Sequence, residues 1–132
     1  MPTLLDTHAW LWWATGDSRL SRRAKIAVSG AARRKELCLS MISIWEIAKK
    51  VEKGQLAFDR PLVPWLDAAS SLEGLRLWEL TPPILVESCR LPGPFHGDPA
   101  DQMIVASARN HGAVLVTKDD RIRRYEHVET LW

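Results

Sequence analysis

The 132 residues suffice for one compact domain whose core needs neither disulfides nor a structural metal, and they are too few for two ordinary domains. Hydrophobic residues at 46% and charged residues at 26% exclude a disordered or fibrous chain. The net charge of +2 excludes a polycation, but 12 of the 18 basic residues fall in four groups, Arg22/Arg23/Lys25, Arg33/Arg34/Lys35, Lys49/Lys50/Lys53 and Arg121/Arg123/Arg124. Each group is either a solvated helix face or a local surface for phosphate.

The two cysteines, Cys38 and Cys89, lack metal-ligand spacing and sit among apolar neighbours, so both are expected to be reduced and buried. No apolar run reaches the roughly 18 to 20 residues that cross a bilayer, and Met1-Pro2-Thr3 is not the basic start of a signal peptide. A cytoplasmic protein with no membrane partner is expected. Seven tryptophans, several in the run Trp10-Leu11-Trp12-Trp13, fit core or subunit interface better than base stacking.

In chain order, the apolar runs Thr3-Leu4-Leu5, Leu37-Cys38-Leu39, Leu75-Arg76-Leu77-Trp78 and Ala113-Val114-Leu115-Val116 predict strands, with a weaker candidate over His127 to Leu131. Between the first two, the tryptophan run reads as a first helix, and Asp17 or Ser18 can begin a second that runs through Ala32. Ser43 can cap a helix over Ile44 to Lys53, stopped by Gly54. Shorter helices are predicted over Pro64 to Leu72 and Pro83 to Cys89. The stretch Leu91 to Asp98 reads as a Gly/Pro-rich loop, and Pro99 at a first helical position opens a helix that ends near Gly112. This alternation implies an α/β fold over residues 1–132, with right-handed crossovers, a mostly parallel sheet of four or five strands and helices on both faces. In such sheets ligands gather at the carboxyl ends of the strands.

Asp6 ends the first strand, and Asp119 and Asp120 follow the fourth, which puts these acids at one edge of the sheet. A strand-end Asp is also a common helix cap, so each alone is ambiguous; two at corresponding ends favour a shared site. Asp98 precedes Pro99 as a cap would. Asp101 heads the stripe Asp101, Ile104, Val105, Ala108, which faces the core, and a carboxylate there needs a cation or basic partner. Glu46 has a simple structural reading, pairing with Lys50 one turn on at an exposed face. Clustered carboxylates without His or Cys ligands suit a hard cation such as Mg²⁺ or Mn²⁺, able to activate water against a phosphodiester. His8, His96, His111 and His127 show no HExxH spacing, so a zinc hydrolase is disfavoured.

Four segments together resemble the PIN-domain ribonucleases, and most closely the VapC-type toxins of toxin-antitoxin pairs: Leu4 to Trp12, Ser40 to Lys50, Asp98 to Ala106, and Leu115 to Asp119. The resemblance implies a PIN-like three-layer α/β/α sandwich, Mg²⁺ or Mn²⁺ dependence, endonucleolytic RNA cleavage, a homodimer, and a small cognate antitoxin as partner. It places Asp6, Glu46, Asp101 and Asp119 in an acidic quartet that is both catalytic and metal-binding, with Asp98 as a further candidate ligand. Thr7, Ser43, Thr117 and Lys50 are candidate substrate contacts. Whether Asp98 or Asp101 is the main third ligand, and Asp119 or Asp120 the fourth, stays open, and Gln102 stands where this subgroup often carries arginine. A receiver-like phosphoacceptor domain is a rival, but the third strand leads to Glu79-Leu80-Thr81 rather than to the required aspartate. A catalytically inactive PIN-fold binding module is a second rival.

Overall fold

A computed structural model describes residues 1–132. Five strands, β1 (Thr3–Leu5), β2 (Leu37–Ser40), β3 (Leu75–Trp78), β4 (Val114–Val116) and β5 (Thr130–Leu131), form one sheet in the order β3-β2-β1-β4-β5. Every neighbouring pair is parallel. Seven helices connect them: α1 (Thr7–Thr15), α2 (Arg22–Arg33), α3 (Met41–Glu52), α4 (Leu62–Ser70), α5 (Pro82–Ser88), α6 (Pro99–His111) and α7 (Asp120–Arg123).

The alternation of side chains along a strand sorts the core into two layers. Leu5, Leu39 and Val116 stand in register across β1, β2 and β4, and with Leu37 they pack against Trp10 of α1, Val28 of α2, Ile47 of α3 and Trp65 of α4. One residue back, Leu4, Cys38 and Leu115 form the matching row on the other face, beneath Ile104, Val105 and Ala108 of α6 and Ile122 of α7. The three-layer α/β/α architecture therefore follows from strands apolar on both faces. The Trp10 indole N–H donates to the Ala69 carbonyl at 2.9 Å and ties α1 to α4. No helix is long and apolar enough to cross a membrane.

Several boundaries differ from the sequence expectation, each for a local reason. The second helix begins at Arg22 under a Ser21 cap, not at Asp17 or Ser18; Gly16 in the left-handed region has just closed α1, and Asp17 instead pairs with Arg19 at 2.8 Å. The third begins at Met41, capped by Ser40 rather than Ser43, because β2 runs into α3 with no intervening loop. Residues 62 to 70 form α4, two residues earlier than expected, with Pro64 in the first turn where a missing N–H costs little. Asp98 and Gly112 do cap α6. The weak C-terminal strand exists but is only Thr130–Leu131. Cys38 is buried as expected, while Cys89 is exposed at the end of α5.

Gly74, in the turn before β3, has φ of +84°, and a Cβ there would stand 2.2 Å from the Ala32 carbonyl oxygen. Strain and overlap add, so Gly74→Ala is expected to cost roughly 2–4 kcal/mol in urea denaturation. A loss below about 0.5 kcal/mol, the size of an ordinary surface change, would show that the turn and α2 do not approach this closely.

Candidate active site

The strand order reverses about β1: the chain moves outward through β2 and β3, then returns to the other side of β1 with β4. At such a switch point the crossovers diverge and leave a crevice above the carboxyl ends. Asp6 follows β1 directly and Thr117 follows β4 directly, so the two meet at the floor of the crevice.

Asp6 is buried and caps α1, its Oδ1 accepting the Ala9 N–H at 2.8 Å. Burial pushes its carboxyl up to about 6, against the opposing hydrogen bonds from Thr117 and Ala9, and the charges of Glu46 and Asp119 push the same way. Asp101, one turn into α6, is raised to about 7 by burial and then by the neighbouring charges of Asp98, Glu46 and Asp119, with Arg121 opposing. Glu46 on α3 is raised by burial and by Asp98, while Thr7 and Lys50 pull it down. Burial pushes Asp119 up too, but hydrogen bonds from the Ile122 and Arg121 backbone and from the Arg121 guanidinium outweigh it and hold the carboxyl below its ordinary value. Asp6 and Asp101 thus each feel the charges of Glu46 and Asp119, which ties the four acids into one site.

Their partners differ from what local sequence suggests. Glu46 makes no ion pair with Lys50; the Thr7 hydroxyl donates to its carboxylate and shares a 2.9 Å hydrogen bond with the buried Ser43 hydroxyl. Lys50 lies close enough to stabilise Glu46 by charge, and it lines a groove with Trp45, Lys49, Lys53 and Asp98. Asp98 is exposed, and its Oδ1 accepts the Asp101 N–H at 3.0 Å as the cap of α6. Asp119 caps α7, accepting from the Arg121 N–H at 2.8 Å, whereas Asp120 is 79% exposed and reaches outward to Arg123. Of the adjacent pair, Asp119 is therefore the one turned to the crevice. The Thr117 hydroxyl accepts the Asp119 N–H at 3.1 Å and bonds to Asp6 as well, linking the acids of β1 and α7.

Two residues beside the acids were not foreseen. His96 places Nε2 3.2 Å from the Asp101 carboxylate, and Arg121 places Nη2 3.7 Å from Asp101 and 3.4 Å from Asp119. Arg121 was legible only as one of a basic group; its place at the second residue of a helix capped by Asp119 was the available signal. His96 had none beyond standing two residues before the α6 cap.

The donor set is all oxygen, carboxylates with hydroxyls between them, and its acids outnumber the single guanidinium that contacts them, so its chemistry fits a hard divalent cation. As the side chains stand, no three of the acids or histidines draw close enough to hold an ion, since Glu46 is turned onto Thr7 and Asp101 onto His96 and Arg121.

The first helix does not expose its tryptophans. Trp10 and Trp12 are buried and Trp13 half-buried, with Trp12 covered by Trp132 at 5.8 Å between ring centroids. Trp45 of α3 is the exposed tryptophan, at 53%, with Met41 exposed one turn away.

Comparison with known proteins agrees with this geometry. The PIN domain profile matches residues 3–128. The chain is 37% identical over 131 residues to Ribonuclease VapC22 of Mycobacterium tuberculosis, covering 98% of this chain and 97% of that protein. Among solved structures it is similar to VapBC2 from Rickettsia felis, bound to a DNA fragment from its promoter, with TM-score 0.73, 18% identity and coverage of 99% and 98% of the two chains. It is similar also to FitAcB from Neisseria gonorrhoeae, with TM-score 0.70, 15% identity and coverage of 98% and 96%. At these identities the structures speak for the fold; with the profile and the close relative, they establish that the chain belongs to the PIN-domain family, in its VapC group.

Proposed function

We propose that the protein is a Mg²⁺- or Mn²⁺-dependent endoribonuclease, the toxin of a toxin-antitoxin pair. The observation that carries this reading is the gathering of Asp6, Glu46, Asp101 and Asp119 around the switch point, with Asp6, Glu46 and Asp101 pushed toward neutrality by burial and by neighbouring carboxylates, Asp98 among them. These acids would hold the cation, with Asp98 at the rim. When bound, the ion supplies a Lewis acid for the phosphodiester and a water of lowered pKa.

The chain's own groups prepare the site. Thr7 fixes the Glu46 carboxylate and is itself fixed by Ser43, so the α1 and α3 acids keep their spacing. Thr117 does the same for Asp6 and Asp119. Backbone and guanidinium donors keep Asp119 ionised, so at neutral pH at least one ligand is charged before a cation arrives. Lys50 stands where a substrate phosphate would approach the acids.

Two macromolecular partners belong to the reading. An antitoxin finds its apolar surface on α3 at Met41 and Trp45 rather than on α1, where the tryptophans are covered. A second copy of the chain finds exposed apolar side chains at Leu77 on the edge strand β3 and, separately, at Leu85 and Val86 on α5. A cytoplasmic location fits both.

Purified protein is expected to cut single-stranded or looped RNA with Mg²⁺ or Mn²⁺ and to stop in excess EDTA. Full cleavage in EDTA would overturn the metal-dependent mechanism, and no cleavage of any RNA with either ion would overturn the enzyme.

A further inference from the structure

Next to the acids, on the α7 side, lies a cavity of about 320 Å³ lined by Phe95, His96, Arg121, Arg124, Tyr125 and His127, among others. We propose that it is the subsite for an unpaired nucleobase of the RNA strand, seating the nucleotide next to the scissile phosphate; this rests on the ribonuclease reading above.

Four observations converge. The cavity shares walls with the catalytic crevice, since its His96 and Arg121 are the two groups in contact with Asp101. Its aromatic rings form a continuous series: Phe95 lies 4.4 Å from His96 and 4.8 Å from Tyr125, and Tyr125 lies 5.3 Å from His127, between ring centroids. Single-stranded bases bind on such faces whatever their sequence, because every base has a π-face. The charge is also suitable. Arg121 is committed to Asp101 and Asp119, but Arg124 is exposed and makes no ion pair, leaving a guanidinium for phosphate or for a stacked base. Finally, the His96 ring is held in the shared wall, its Nδ1 accepting the Asp98 N–H at 3.3 Å and its Nε2 3.2 Å from the Asp101 carboxylate, so a ring face stays fixed beside the acids.

The second basic groove, with Trp45, Lys49, Lys50 and Lys53, borders the acids through Glu46 and Asp98 rather than through Asp101. A strand running between the two grooves would pass from Glu46 and Asp98 to Asp101, with cations on either side to offset their repulsion of phosphate.

The test uses the full chain and fluorescently labelled single-stranded oligoribonucleotides, with anisotropy in EDTA at fixed salt so that binding is read without turnover. Arg124→Gln changes an exposed residue, and Phe95→Leu removes the aromatic face while keeping apolar bulk; melting curves confirm that both fold. Each is expected to weaken binding about tenfold, within the range of one lost base stack. A single abasic site scanned along the oligonucleotide should weaken the wild type about tenfold at one position, and should add little in Phe95→Leu. A flat abasic scan, or variants that bind as the wild type does, would overturn the subsite, as would variants that lose a cognate antitoxin while keeping RNA. Cleavage of the same oligonucleotides with Mn²⁺ separates the two ideas. Cleavage with a flat scan removes the subsite and leaves the ribonuclease; an abasic step without cleavage does the reverse.

Discussion

Asp101→Asn is expected to lower single-turnover RNA cleavage at fixed Mn²⁺ by about 100-fold or more, while Asp98→Asn stays within roughly threefold of the wild type. The two residues are three apart, and the Asp98 carboxylate accepts the Asp101 backbone N–H, yet they do different work. Asp98 is exposed and satisfies the first turn of α6, a task asparagine performs as well. Asp101 is partly buried, faces the other acids, and would lose the negative charge that a cation needs. Losing a few kcal/mol of charge stabilisation at the reacting phosphate corresponds to two or more decades in rate. Asp98→Asn has one further consequence: its charge is among the influences that raise Asp101 and Glu46, so the variant's activity should persist to lower pH than the wild type's. An inactive Asp98→Asn beside an active Asp101→Asn would make Asp98 the third ligand and refute this view of the α6 face.

The second large effect is a gain of stability with a loss of function. In the metal-free protein the Asp6 carboxyl is raised to about 6 from its ordinary 3.8. An acid raised in the folded state costs nothing below its unfolded pKa, costs progressively more as pH climbs between the two values, and costs its full amount above the folded one. For Asp6 that full amount is on the order of 3 kcal/mol. Without metal, the melting temperature of the wild type should therefore fall as pH rises from about 4 to 7, with Asp101 contributing in the upper part of the window. Asp6→Asn keeps the cap on Ala9 and removes the cost, so at pH 7.5 it should melt several degrees higher. Mn²⁺ should stabilise the wild type and leave the variant almost unchanged, and cleavage should vanish. A variant that melts lower than the wild type in EDTA, or a flat pH profile, would mean that burial and neighbouring charge do not raise the acids as described.

The large features of the fold were readable because they depend on short-range pattern. Strands apolar on both faces announce a covered parallel sheet, and Asp98-Pro99 with Gly112 brackets α6 from composition alone. Asp6 was readable as lying at the carboxyl edge of the sheet because its place after a strand is a topological fact. What escaped was set by contacts distant in sequence. Glu46 had a plausible partner four residues on in Lys50, but the one it takes, Thr7, lies 39 residues away. Ser40 and Ser43 are equally good caps by residue type; only the absence of a loop after β2 decides for Ser40 and frees Ser43 to hold Thr7. Trp12 could be read as core or as interface because nothing near it in sequence shows that Trp132 covers it. That Asp119 rather than Asp120 turns to the crevice depends on the short helix α7, whose four residues are too few for any periodicity to reveal.

The central position of β1 bears on how the protein is made. β1 is synthesised before both of its neighbours, β2 and β4, so one of its edges stays open until the 114–116 segment has been made. Non-local pairing of this kind is slow and leaves an exposed strand edge during synthesis. The same delay acts as a safeguard, because Asp6 and Asp119 can meet only when β4 has docked. A nascent chain would carry three of the four acids without the geometry to use them, so an antitoxin made at the same time has the whole interval of elongation in which to be ready.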